Sequence, residues 1–271
     1  MKVYKKVLTI AGSDSGGGAG IQADIKTISA LGCYATSAIT AITAQNTKGV
    51  TAIHPVPIDM LEKQLEAILS DIGTDSVKIG MLHNVDVVKV VARALQKYGV
   101  KQVVLDPVMV ATSGDRLIEE DTLKILKKEL FPLASIITPN LDEAEMLLDR
   151  KIASLDEMEK FAADLAQWNS GAVLLKGGHL EGDTIFDVYF DTELKESRVF
   201  HSCKIESANV HGTGCTLSSA IASYMAIGYT SPEAVIKARD FVLQAIESGK
   251  DYQTGSGHGP VNHFFDPKVM L

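Results

Sequence analysis

Cysteine is scarce in this chain. Its 271 residues include three, Cys33, Cys203 and Cys215. They are few, odd in number and far apart, which excludes a disulfide framework and a spaced zinc site and leaves reduced thiols in a cytoplasmic setting as the expectation. Long apolar runs are also missing, since no stretch approaches the roughly 18 residues that cross a bilayer. The opening MKVYKKVLTIA passes from lysines through an apolar run into a glycine-rich turn without a cleavage pattern, so it reads as a first strand and not a leader. Clustered basic residues are absent as well. With a formal charge of -8, the chain lacks the electrostatic footprint of a nucleic-acid binder, and any anionic ligand must be held by local features.

What is present is ordinary globular composition, 46% hydrophobic and 22% charged. The length suits one α/β domain spanning residues 1–271, with no linker, repeat or low-complexity tract. Short apolar runs recur at 7–11, 36–44, 76–80, 102–106, 135–138 and 172–177, separated by segments of helical period. Ile21, Ile25, Ile28 and Leu31 form one such stripe and stop at Gly32, a fitting C-terminal cap. Leu61, Leu65, Ile68 and Ile72 repeat the pattern, as do Met158, Phe161, Leu165 and Trp168. Alternating strands and helices with near-continuous apolar strands imply a three-layer α/β/α domain around a mostly parallel sheet. One departure is 184–200, where two extended pieces around a polar turn at Asp191 to Glu193 predict an antiparallel edge hairpin.

Four features carry chemistry. In HGTGCTLSSAIASYMAIG (211–228) a Gly-x-Gly turn opens directly into a helix with Leu217, Ile221, Tyr224 and Met225 on its buried side. Free N–H groups from Gly212 to Cys215 then converge at a positive helix end and make an anion hole, unless the turn simply feeds a core helix. AGSDSGGGAGIQAD (11–24) has neither a Gly-Lys-Ser/Thr nor the glycine spacing of a dinucleotide fingerprint. It still lets a ligand lie against backbone at the strand ends. Asp14 within it either hydrogen-bonds substrate or caps the turn. Asp106 in LDPVM and Asn140 and Glu143 in TPNLDEAEML lie at successive strand ends, oxygen donors that suit a water-rich Mg²⁺ site. Asp before Pro is equally a common turn, and Asn before a helix a common cap. Lys176, after AVLL and before two glycines, is placed to steady nucleotide phosphates, or is an ordinary solvated lysine.

Taken together, TIAGSDSGGGAGIQADIKT, TAQNTKGV (43–50), KIGML (78–82), DPVM (106–109), TPNLDEA (138–144), LLKGGH (174–179), HGTGCTLSSA (211–220) and GSGHGPVNHFF (255–265) closely resemble the hydroxymethylpyrimidine and phosphomethylpyrimidine kinases of thiamin biosynthesis, in the ribokinase-like superfamily. The blocks run in family order over almost the whole chain. The resemblance implies a cytoplasmic, homodimeric enzyme that uses Mg²⁺ and ATP to phosphorylate 4-amino-5-hydroxymethyl-2-methylpyrimidine and then its monophosphate. It assigns Gln45 to the aminopyrimidine, Ala19, Met81 and Val108 to the pocket wall, Asn140 and Glu143 to an Asn-x-x-Glu element near the metal with Asp106, and Lys176 to the nucleotide phosphates. Gly212, Thr213 and Gly214 are assigned to the anion hole around the phosphoryl group. Cys215 stands where most ribokinase-like enzymes hold an aspartate base. A helix N-terminus can lower a thiol toward neutrality, so Cys215 is either a thiolate base or a group that orients the alcohol. A pyridoxal kinase of the same family is the nearest rival, disfavoured by Gln45 in its AQN context. A catalytically silent binding protein on this fold is the third reading.

Overall fold

The computed structural model describes residues 2–109, 120–168, 171–178 and 182–270. The last residue of the LLKGGH block, His179, lies outside them. In chain order the elements are β1 (Lys6–Ser13), α1 (Gly20–Ala30), β2 (Tyr34–Asn46), β3 (Gly49–Pro55), α2 (Ile58–Ala67), β4 (Ser76–Ile79) and α3 (Val85–Lys97). They continue with β5 (Val103–Leu105), α4 (Glu120–Ile125), β6 (Ile136–Ile137), α5 (Leu141–Leu148), α6 (Leu155–Leu165) and β7 (Ala172–Lys176). The hairpin β8 (Thr184–Asp191) and β9 (Glu196–Cys203) follows, then α7 (Thr213–Ile227) and α8 (Ser231–Gly249).

The strands form one sheet in the order β3-β2-β1-β4-β5-β6-β7-β8-β9. The run from β2 to β7 is parallel, while β3, β8 and β9 join antiparallel at the two edges. Side-chain alternation divides the core in two. Leu8, Ile10, Val103, Leu105, Val173 and Leu175 face α2 to α6, and Val7, Val104, Ile136, Ala172 and Leu174 face α1, α7 and α8. The layered α/β/α class is the one the apolar runs predicted. Among the described residues no helix is long and apolar enough to cross a membrane.

Several local expectations are corrected. The edge hairpin turns at 192–195, later than the expected 191–193, because the Asp191 carboxylate accepts from the amides of Glu193 and Leu194 and Lys195 adopts φ +56°. A second hairpin, β2–β3, was not anticipated. The residues of β3 are exposed or half-buried throughout, so its sequence carries no alternation to read. In α1, Ile25 is 37% exposed, because the buried face turns to include Asp24 and Thr27 instead. After α2 the chain widens into a π-helical turn, Ile68–Ile72, which buries Leu69 and carries Ile72 outward. Helix α7 is buried on nearly all sides rather than along one stripe.

Candidate active site

The C-terminal ends of the parallel strands open on one large cavity of about 1020 Å³. Two glycine-rich loops interlock at its rim. Gly212, the cap of α7, has φ +83°, and a Cβ there would stand 1.8 Å from the carbonyl oxygen of Gly18. The loops can approach this closely only because neither residue has a side chain. Asp14 organises the first loop, accepting from the amides of Gly16 (2.7 Å), Gly18 (3.1 Å) and Ala19 (2.8 Å). It also bonds His211 Nε2 at 2.9 Å, which ties the loop to the start of the α7 motif. Burial works to raise the Asp14 carboxyl, but the hydrogen bonds from His211, Ala19 and Gly16 outweigh it and hold it below its ordinary range. Of the two roles left open for Asp14, the geometry gives it the turn. Asp14 is 3% exposed and also lines the cavity beside the loop it organises.

Gln45 lies at the end of β2, where the pairing with β3 slips by a residue. Its backbone is held to the first loop, donating to Ser15 Oγ (2.8 Å) and accepting from it (2.7 Å). Its side-chain oxygen accepts from Thr43 (3.2 Å), and its Nε2 lies 3.4 Å from His211 Nε2. Gln45, Ala19, Met81 and Val108 all line the cavity, and β1, β4, β5 and β6 separate the strand of Gln45 from that of Lys176. The C-terminal segment braces the Gln45 side. Gly257 and His258 donate to Thr47, and Gly259 accepts from the His211 amide. Within it His258 is exposed, while His263 is buried against Thr216 Oγ1 at 3.1 Å.

At the other end, Asp106 closes β5 and is 2% exposed. Thr138 Oγ1 and Lys176 Nζ donate to its Oδ1 (3.1 and 2.9 Å), and Ser218 Oγ of α7 donates to its Oδ2 (3.2 Å). Lys176, with its side chain 15% exposed, is thus a paired cation at the cavity wall and not a solvated lysine. Asn140 and Glu143 form a reciprocal capping box on α5, each accepting from the other's amide at 2.8 Å. The cap reading of Asn140 is therefore realised. Glu143 is nonetheless a cavity residue, 3% exposed. Burial, with the Asp106 charge adding, pushes its carboxyl up to about 7 against the opposing pull of Lys176.

Gly212, Thr213, Gly214 and Cys215 line the cavity between the two ends. In this first turn of α7 the Thr213 amide is taken by the Val210 carbonyl at 3.3 Å, while the amides of Gly214 and Cys215 have no intrahelical acceptor, and Lys176 borders the same cavity. Burial opposes the lowering that a helix N-terminus gives a thiol and pushes Cys215 up to about 11, with Asp24 and Asp106 adding to the rise, against the lowering effects of Lys78 and the Gly20 amide.

Two features escaped sequence reasoning. His211 was read only as part of a motif, yet it links Asp14 and Gln45. The other is Lys78, fully buried in the central strand β4, with Nζ 2.8 Å from both oxygens of Asp24. Its signal was a lysine between Val77 and Ile79 at a position where a parallel strand wants an apolar side chain. Asp24, at helical spacing between Ile21 and Ile28, was the matching sign on α1.

The chain is similar to known kinases over most of its length. The family described as phosphomethylpyrimidine kinase matches residues 14–262. A hydroxymethylpyrimidine/phosphomethylpyrimidine kinase of Rhizobium meliloti is 48% identical over 95% of this chain and 96% of its own length. A probable chloroplastic thiamine biosynthetic bifunctional enzyme of rice is also 48% identical over 98% of this chain, but the chain spans about half of that relative (48%). Among solved structures, the pyridoxal kinase of Staphylococcus aureus in complex with AMP-PCP and pyridoxal superimposes with a TM-score of 0.88 at 36% identity, covering 97% of this chain and 94% of that one.

Proposed function

The chain belongs to the phosphomethylpyrimidine kinase family, and from that premise we propose that it transfers the γ-phosphoryl of ATP to the hydroxymethyl group of 4-amino-5-hydroxymethyl-2-methylpyrimidine and then to the resulting monophosphate. The observation that carries this reading is one cavity holding an amide, Gln45, at one end, the Lys176–Asp106 pair at the other, and the glycine turn with Cys215 between them. An amide offers a donor and an acceptor together, as an aminopyrimidine edge requires. ATP as co-substrate is supported by the AMP-PCP complex of the S. aureus relative.

A divalent ion belongs with such a kinase, and the residues fit one. Asp106 and Glu143 are two buried carboxylates beside one lysine, Lys176, which pairs with Asp106, and the Glu143 carboxyl is raised by burial first, with the Asp106 charge adding to it. A hard cation held mostly by water and phosphate oxygens, with these two carboxylates nearby, relieves that imbalance. When bound, Mg²⁺ neutralises charge on the phosphate oxygens during transfer. Lys176 contributes a fixed positive charge on the same side, and the amides of Gly214 and Cys215 provide donors for the transferring group. Cys215, held as a thiol, orients the substrate alcohol by hydrogen bonding. The alcohol oxygen forms its bond to phosphorus as the bridging oxygen of ATP departs with ADP, and the alcohol proton passes to an oxygen of the transferred phosphoryl group and from there to solvent. Positioning and charge thus supply most of the acceleration.

A homodimer has its best candidate face on the β2–β3 edge, where Ile42 and Ile53 remain 48% and 45% exposed. Sedimentation of the purified protein tests it, and a monomer at micromolar concentration refutes it.

The function is tested by ADP release with Mg-ATP and, in parallel, the hydroxymethyl pyrimidine, its monophosphate and pyridoxal, with products identified by mass. Turnover on both pyrimidines is expected. Turnover on pyridoxal alone keeps the phosphoryl-transfer site and overturns the role of Gln45. No turnover on any of the three restores the reading of a silent binding protein.

A further inference from the structure

The buried pair of Lys78 and Asp24 is not needed to hold the core together. Both side chains are 0% exposed, and a buried ion pair is often no more stabilising than well-packed apolar residues of the same volume. Its place in the fold suggests another use. Helices α1 and α7 start from the two interlocked glycine loops, and they are bridged where Ser219 Oγ of α7 donates to Asp24 Oδ1 of α1 at 2.6 Å. Cys215 lies four residues before Ser219, one turn nearer the start of α7 and on the same side of that helix. Below this rung, Lys78 from β4 holds both Asp24 oxygens at 2.8 Å, and Thr9 Oγ1 of β1 donates to Asp24 Oδ2 at 2.6 Å.

We propose that Lys78 is a positioning residue for phosphoryl transfer, anchoring Asp24 so that the Asp24–Ser219 rung sets the spacing of α1 and α7 and thereby the place of the Cys215 sulfur. The inference rests on the functional reading above, because it gives the rung a task only if Cys215 faces the reacting alcohol. The charges facing Cys215 are Lys78 from β4, Asp24 from α1, Asp106 from the end of β5 and Lys176 from β7. Lys78 is thus one of two cations, with Lys176, in a set whose four members come from four different parts of the fold. Replacing it leaves Asp24 buried and unpaired, so the informative variant changes both.

The test is the double variant Lys78→Met/Asp24→Leu in the full-length protein, with Ser219→Ala as a milder variant that removes only the α7 side of the rung. Three readouts are taken: kcat, KM for Mg-ATP, and the rate at which iodoacetamide alkylates Cys215, followed by peptide mass. We expect the double variant to unfold within a few degrees of the parent, to lose at least tenfold in kcat with KM for Mg-ATP within about threefold, and to alkylate Cys215 at a rate changed at least threefold. Ser219→Ala should move kcat and alkylation in the same directions by less, and it decides the matter if the double variant does not fold. Parental kcat in the folded variant overturns the proposal, and so does a kcat loss with Cys215 alkylation unchanged, since the pair then acts elsewhere. If the parent protein phosphorylates none of the candidate alcohols, the functional reading has failed. The alkylation comparison still reports on the rung.

Discussion

Replacing Glu143 by glutamine should make the protein more stable above neutrality and leave it unchanged in mild acid. Glu143 is 3% exposed and its carboxyl is raised from 4.5 to about 7, chiefly by burial and further by Asp106. Between these two values the folded chain keeps a proton that the unfolded chain has released, so stability falls as the pH rises through that window. Above about pH 7 the full cost is present, about 3 kcal/mol for a shift of this size. Glutamine is close in shape, can still accept from the Asn140 amide to complete the cap, and carries no charge to bury. The expected result at pH 8 is therefore a Tm about 6–12 °C above the parent for a chain of this length. At pH 5, where the parent glutamate is protonated in the fold, the two proteins should melt within about 2 °C of each other. Thermal unfolding at a series of pH values measures the difference directly, and other titrating groups cancel because both proteins share them. An equal difference at pH 5 and pH 8 would refute the argument. The same variant should lose at least tenfold in kcat, which checks the part assigned to Glu143 beside the metal.

Cys215→Ala should lower kcat by at least tenfold with a modest change in pyrimidine KM, and an unchanged rate removes Cys215 from the reaction. Because the thiolate is the reactive form and burial holds this thiol near 11, alkylation of Cys215 should keep rising about tenfold per pH unit from pH 8 to pH 10, and a plateau below pH 9 contradicts the raised value. Gln45→Ala removes polar contacts confined to one end of the cavity, so the pyrimidine KM should rise about tenfold while KM for ATP stays within about twofold. Equal changes in both would move Gln45 out of the substrate end. Gly212→Ala places a Cβ 1.8 Å from the Gly18 oxygen at φ +83° and should cost more than about 10²-fold in turnover by displacing one loop from the other, with wild-type kinetics refuting the interlock.

The sequence alone determined the layers. Apolar runs of strand length separated by helical stripes leave few arrangements other than a parallel sheet covered on both faces, because each pattern must bury its apolar side. The blocks around Gln45, Asp106, Lys176 and Cys215 also marked the residues that the fold gathers into one cavity, since strand ends and glycine turns are local features that short stretches encode. Only the tertiary structure decided what long-range contacts settle. Asp14 bonds His211 from a position 197 residues away, which ties the first glycine loop to the start of the α7 motif. Lys78 and Asp24 look like misplaced charges on their own elements, and only the assembled sheet, with α1 packed on β1 and α7 on β4, brings them together as a pair. The thiol of Cys215 is a balance between a helix end, which local sequence shows, and burial among Asp24 and Asp106, which it cannot show. Burial wins, because desolvating a charge depends on everything that surrounds it and not on its neighbours in the chain.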